Sequence, residues 1–124
     1  MLEYLFWLKS SKRDLKAMPD AVQDMAGGAL DDVQWGLTPD EAKPLKGFGS
    51  ASVQEIVCDY DGNAYGAVYT VEFSRAVYVL HCFQKKSKTG SKTPKPDLEL
   101  IKSRLVDARK DYEKWSKENP EEES

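Results

Sequence analysis

Apolar positions along the chain change spacing several times, and each change predicts an element. Residues 2–8, LEYLFWL, are aromatic and aliphatic enough to read as a first strand or an extended entry segment. Ser10 or Ser11 then offers an N-cap for a short helix through Lys16, which Pro19 ends. From Asp20 onward Val22, Met25, Ala26, Ala29, Leu30 and Val33 recur at the three- and four-residue steps of a helix with one buried face. Gly27 and Gly28 weaken this helix by about 1 kcal/mol each relative to alanine, and are expected where it approaches a sheet closely. Gly36 is expected to close it.

Residues 37–52, LTPDEAKPLKGFGSAS, read as a loop, because their prolines and glycines oppose any regular element. Three strands are predicted next: Val53–Tyr60, Tyr65–Phe73 and Val77–Gln84. Asp61-Gly62-Asn63 is a hairpin signal between the first two, and Ser74-Arg75 marks a second tight turn. Val77–Gln84 is apolar on both faces and so belongs inside the sheet. Connections this short imply antiparallel neighbours. Thr93-Pro94 or Pro96-Asp97 can open a last helix, along which Leu98, Ile101, Leu105, Ala108, Tyr112 and Trp115 form a narrow apolar stripe. The expected fold class is α+β: an antiparallel sheet of about four strands, two N-terminal helices and a C-terminal helix, with the helices on one sheet face. Residues 1–116 are expected to form a single domain and 117–124 an acidic, fraying tail.

Composition adds exclusions. A chain of 124 residues fits one domain with its own core. No apolar run approaches the roughly 20 residues that span a bilayer, and the first residues lack the pattern of a secretory signal, so a cytoplasmic address with no membrane partner is expected. Cys58 and Cys82 lack zinc spacing, and the chain has one histidine, His81. The thiols are expected as small buried hydrophobes, and neither a metal nor a small-molecule cofactor is expected. No phosphate-binding glycine loop, HExxH or G-x-S-x-G occurs.

Charge is unevenly spread. Residues 1–42 sum to −4, residues 43–92 to +3 and residues 93–124 to −2, within a chain of net charge −3. The run KKSKTGSKTPK (85–95) holds five lysines and no acid, a patch able to attract phosphates on an otherwise acidic protein. A lysine-rich solvated loop is the equal alternative. His81 is expected as a partly buried residue held by a backbone hydrogen bond, on the face of Val77, Val79 and Phe83, with catalysis the lesser alternative. Tyr65, Tyr69 and Phe73 share a predicted strand face. The core accounts for Tyr69 and Phe73, while Tyr65, near the hairpin tip, is the more open and could stack on a base. Glu55 and Asp59 are expected as solvated charges.

Across AKPLKGFGSASVQEIV (42–57), DGNAYGAVYTV (61–71) and AVYVLHCFQKKSKTGSKTPKPDLELIKSRL (76–105), the sequence resembles the phage-related, HigB-like branch of the RelE/ParE toxin superfamily of bacterial toxin–antitoxin systems. The resemblance runs from about Trp7 to Trp115. It implies a RelE-like compact α+β domain. It also implies a toxin that acts as a ribosome-dependent messenger-RNA endoribonuclease without a metal, the RNA's own 2′-hydroxyl attacking the adjacent phosphate. Ribosome and mRNA would then be partners, as would a cognate helix-turn-helix antitoxin.

The resemblance places Lys85 and Lys86 at the family's basic pair, with Lys86 matching the arginine used against the scissile phosphate. Lys43, Lys46, Lys88, Lys92 and Lys95, with Arg75 and Tyr65, are implied contacts to RNA or ribosome, of the backbone-positioning kind. One departure stands out. The family pattern tyrosine–arginine–two residues–tyrosine is here Tyr65-Gly66-Ala67-Val68-Tyr69. Loss of one charge-stabilising donor costs about 10²–10³ in rate, so either Arg75 compensates or the chain is a weak or inactive toxin-like module that still binds its antitoxin. Gyrase inhibition, as in ParE-type relatives, is a third reading.

Overall fold

The hairpin signal marks the middle of the sheet. Asp61 and Gly62 both take positive φ, 51° and 78°, as a two-residue type I′ turn requires. They join β3 (Val53–Tyr60) to β4 (Asn63–Thr70), paired from Tyr60 opposite Asn63 to Val53 opposite Thr70. A computed structural model of the protein describes residues 2–49, 52–85 and 93–121. The remaining elements are β1 (Tyr4–Trp7), α1 (Ser11–Lys16), α2 (Asp20–Gln34), β2 (Ala42–Pro44), β5 (Ala76–Lys85) and α3 (Lys95–Glu118). The protein is α+β, as its periodicities require.

The sheet has five strands in the order β1-β5-β4-β3-β2. Strands β3, β4 and β5 form the expected antiparallel meander, but β1 lies parallel to β5, so the sheet is mixed. The segment read as loop contributes β2, which pairs antiparallel with β3. Pro44 is tolerated there because β2 is an edge strand whose outer side needs no ladder donor. Strand β4 ends at Thr70 rather than Phe73. Phe73 turns instead toward α3, its ring 4.5 Å from that of Tyr112 and 5.2 Å from that of Tyr78.

Helices cover both faces of the sheet, not one. On the first face Leu15 of α1 and Val22, Ala26, Ala29, Leu30 and Val33 of α2 pack on Ile56, Cys58, Ala67, Tyr69, Val77, Val79 and Cys82. On the second, Ile101, Leu105 and Ala108 of α3 pack on Val53, Val68, Tyr78, Leu80 and Phe83. The physical reason is β5 itself: a strand apolar on both sides must be covered on both sides. Gly27 and Gly28 are exposed, and a methyl group on either would meet nothing within 4 Å. They mark no close approach to the sheet. Gly36 does follow the end of α2, with its amide and that of Leu37 bonded back to Val33 and Asp32.

A β-bulge decides which face the histidine serves. Pairing between β4 and β5 shifts between Val68 and Tyr69: Tyr69 faces Val79 while Val68 faces His81, which leaves Leu80 as the extra residue. Strict alternation would put His81 beside Val77 and Val79, on the α2 side. The bulge moves it to the α3 side with Phe83. At the other end of the chain α3 runs to Glu118, past the expected end at Trp115. Lys117 pairs with Glu113 at 3.2 Å, and Asn119 donates its side-chain amide to the Trp115 carbonyl at 2.9 Å.

Candidate functional site

Where β2 and β3 meet the start of α3, on the α3 face of the sheet, the structure has a cleft of about 440 Å³ lined by Lys43, Leu45, Lys46, Glu55, Thr93 and Leu98. Lys43 lies directly opposite Glu55 in the β2–β3 pairing, so both side chains leave the sheet on this face. Lys43 and Lys46 are exposed. Leu98 and Leu45 give the cleft an apolar wall.

Glu55, which lines the cleft, belongs to an ion pair buried beneath it. Lys85, at the end of β5, places its Nζ 2.8 Å from Glu55 Oε1, and both side chains are 1 % exposed. Thr93 donates its hydroxyl to Glu55 Oε2 at 3.3 Å. Glu55 is therefore not the solvated charge expected from sequence. Its β3 position belongs to the inward-facing register, and Lys85 neutralises it. Lys85, implied as catalytic, has its ammonium committed to that carboxylate and does not stand open to solvent.

Gly66 adjoins this pair. A Cβ built there would lie 2.8 Å from Glu55 Oε2 and 3.0 Å from the Phe83 ring. Position 66 is occupied space: a side chain there must displace the carboxylate and the ring. Arg75 is not brought near it. Its guanidinium stacks over Trp115 at 4.6 Å and its Nε lies 3.5 Å from Glu121, at the opposite end of β5, about 30 Å from Lys85 at the usual strand rise. Compensation of Gly66 by Arg75 is excluded by that distance.

Other anticipated residues divide as follows. Lys95 is exposed at the first residue of α3, one turn before Leu98. Lys86, Lys88 and Lys92 lie outside the described residues. Tyr65 is 7 % exposed, packs in the α2-side core, and lines a different cleft of about 360 Å³ with Asp14, Met18 and Gln84. It is not the open platform expected near the hairpin tip, because its neighbours along β4 alternate faces and it points away from the lysines. Tyr69 is core, as anticipated, and burial pushes its hydroxyl up to about 12. Cys58 and Cys82 are free and buried. Desolvation first, then neighbouring carboxylates, raises them to about 11 and about 12.

Sequence reasoning missed Arg104. It is 8 % exposed and ties three elements together: Nη1 donates to the Leu80 carbonyl at 2.8 Å and approaches His81 Nδ1 at 3.4 Å, and Nη2 donates to Ser10 Oγ at 3.2 Å. Its position one turn from Ile101 and beside Leu105, inside the apolar stripe, was the available signal. A guanidinium only donates, so His81 Nδ1 accepts and Nε2 carries the proton that it gives to Asp97 Oδ1 at 2.7 Å. His81 is thus held by a carboxylate and a guanidinium, not by a backbone carbonyl, and both of its nitrogens are engaged. It orients α3 and does not face the cleft.

Among the described residues no group of three or more His, Cys, Asp or Glu side chains could hold a metal ion, and no helix is long and apolar enough to cross a membrane. What the cleft can do is hold an anion: two exposed ammonium groups stand over a neutralised carboxylate and an apolar wall.

Fold and cleft together define a small α+β domain, one mixed sheet between helices, with a lysine-rimmed cleft at one end. The chain belongs to the family described as "Phage derived protein Gp49-like (DUF891)", whose model matches residues 13–106. Among solved structures it is similar to a chain of the toxin–antitoxin complex RelBE2 from Mycobacterium tuberculosis, at 17% identity and a TM-score of 0.47, over 68% of this chain and 100% of that one. No curated protein matches it.

Proposed function

We propose that the protein is the toxin of a type II toxin–antitoxin pair, of the HigB-like kind, and that it cleaves messenger RNA at the ribosome without a metal. The observation that carries this reading is the pairing of Lys43 and Lys46 over the buried Glu55–Lys85 pair in a cleft of about 440 Å³, on a Gp49-like chain. In the reaction the 2′-oxygen forms a bond to the adjacent phosphorus and gives up its proton. The bond from phosphorus to the 5′-oxygen breaks and that oxygen takes up a proton from water, which balances the one that the 2′-hydroxyl released to water, leaving a cyclic phosphate and a 5′-hydroxyl. Lys43 and Lys46 hold the backbone and offset charge on the non-bridging oxygens. Lys95, exposed at the start of α3, adds a further ammonium group, and Lys86, Lys88 and Lys92 belong to this reading as contacts to RNA or ribosome on the family resemblance alone. The partner that covers it is a helix-turn-helix antitoxin.

Tightly controlled expression with mapping of transcript 5′ ends tests this. Wild type should yield new 5′-hydroxyl ends on translated messages, and Lys43→Ala with Lys46→Ala should reduce them at least about tenfold, the value of one lost charge-assisted contact. A second reading has its own support in the buried Lys85 and the filled position 66: a catalytically silent module that binds the antitoxin. Intact transcripts and unimpaired growth, together with tight capture of the adjacent gene's product, would establish that reading instead.

A further inference from the structure

Both oxygens of the Glu55 carboxylate are engaged by donors that suit a phosphate equally well. Oε1 takes the Lys85 ammonium at 2.8 Å and Oε2 takes the Thr93 hydroxyl at 3.3 Å. Lys43 stands opposite on the paired strand. The carboxylate also lies over the notch left by Gly66, 2.8 Å from where a Cβ would be. Glu55 is the only acid lining the cleft among its described residues, against Lys43 and Lys46 on the rim and Lys85 beneath. The seat is therefore built for an anion, and the protein's own carboxylate fills it. A buried ion pair adds little to stability over an apolar pair of similar volume. Its distinct consequence is that it withholds the Lys85 charge from the cleft.

We propose that Glu55 is an internal phosphate mimic that closes the Lys85–Thr93 seat, so that an RNA phosphate reaches Lys85 only when the carboxylate leaves. This deepens the reading of the cleft as an RNA-backbone site and rests on it. With Glu55 in place the cleft engages RNA through the rim lysines alone. When it swings away, a phosphate oxygen takes both donors and the displaced carboxylate moves toward Lys43.

The experiment uses the full chain and a short 2′-O-methyl RNA, which cannot be cleaved. Glu55→Gln should bind it about tenfold tighter than wild type at equal ionic strength, the gain of one charge-assisted contact. Adding Lys85→Met to that variant should abolish the gain. Equal affinity of Glu55→Gln and wild type, or a gain that survives Lys85→Met, overturns the proposal. A measurement on wild type guards against a variant that does not fold: the Glu55 carboxyl ¹³C and Lys85 ζ resonances should move on saturation with the RNA, and stationary signals overturn it. The two readings fail separately. Cleavage of message in vivo with no gain in Glu55→Gln removes the seat and leaves the function. Stabilisation of Glu55→Gln, but not of wild type, by inorganic phosphate without any RNA binding removes the RNA reading and leaves the seat.

Discussion

The two faces of the sheet bury similar elements in different ways. Toward α2 the sheet presents Ile56, Cys58, Ala67, Tyr69, Val77, Val79 and Cys82, a layer that works by removing apolar surface from water. Toward α3 it combines Val68, Tyr78, Leu80 and Phe83 with polar groups that are matched internally: Glu55 with Lys85, His81 with Asp97, and Tyr78 with Asp111 at 2.6 Å. The first face tolerates sliding and repacking, since dispersion and burial are not directional. The second specifies where α3 sits, because each buried polar atom has one geometry in which it is satisfied. The cleft lies on the second face because a site needs positioned charge, and positioned charge needs matched partners.

Breaking the ion pair should separate the faces most strongly. Glu55→Leu takes the carboxylate away from a buried ammonium and should cost about 3–5 kcal/mol, whereas Glu55→Leu with Lys85→Met should recover most of that loss; urea denaturation of the four members of the cycle measures the coupling. Next comes the apolar face, where Leu30→Ala should cost about 2–5 kcal/mol through the cavity it leaves and leave RNA affinity at the wild-type value. Gly66→Ala should destabilise by about 1–3 kcal/mol, because the added methyl group must displace the Glu55 carboxylate and the Phe83 ring. A milder loss in urea denaturation would show that the carboxylate and the ring shift easily.

Alkaline titration probes the α2 face. Its thiols and Tyr69 are raised by burial, Cys58 to about 11 and Cys82 and Tyr69 to about 12. The folded protein therefore holds protons that the unfolded chain releases at 9.0 for thiols and 10.0 for tyrosine. Stability from this source is fully present below pH 9.0 and is lost as pH climbs toward 12. Tm measured across that window should fall, and Cys58→Ala with Cys82→Ala should flatten the part that begins first. The smallest effect belongs to the rim: Lys43→Ala and Lys46→Ala should change stability by less than about 0.5 kcal/mol each, while lowering the salt dependence of RNA binding.

Periodicity was enough for the helices and the hairpin. Val22 to Val33 and Leu98 to Trp115 are long, regular patterns, and Asp61-Gly62 has a backbone preference of its own, so local information sufficed. The edge strand β2 was hidden because Pro44 and Gly47 oppose strand locally, and only pairing with β3 overrides them. The candidate site was legible in part. The lysines of the 43–46 loop do reach a cleft, but whether Lys85 stood open or buried depended on Glu55, which lies 30 residues away in sequence. The face of His81 depended on a bulge that no alternation rule anticipates. The chain alone determined which segments are helix and strand, because those follow from neighbours within a turn or a pleat. The tertiary structure decided which charges are matched, which face each strand residue serves and which glycine is filled, because those depend on contacts between residues far apart in the chain.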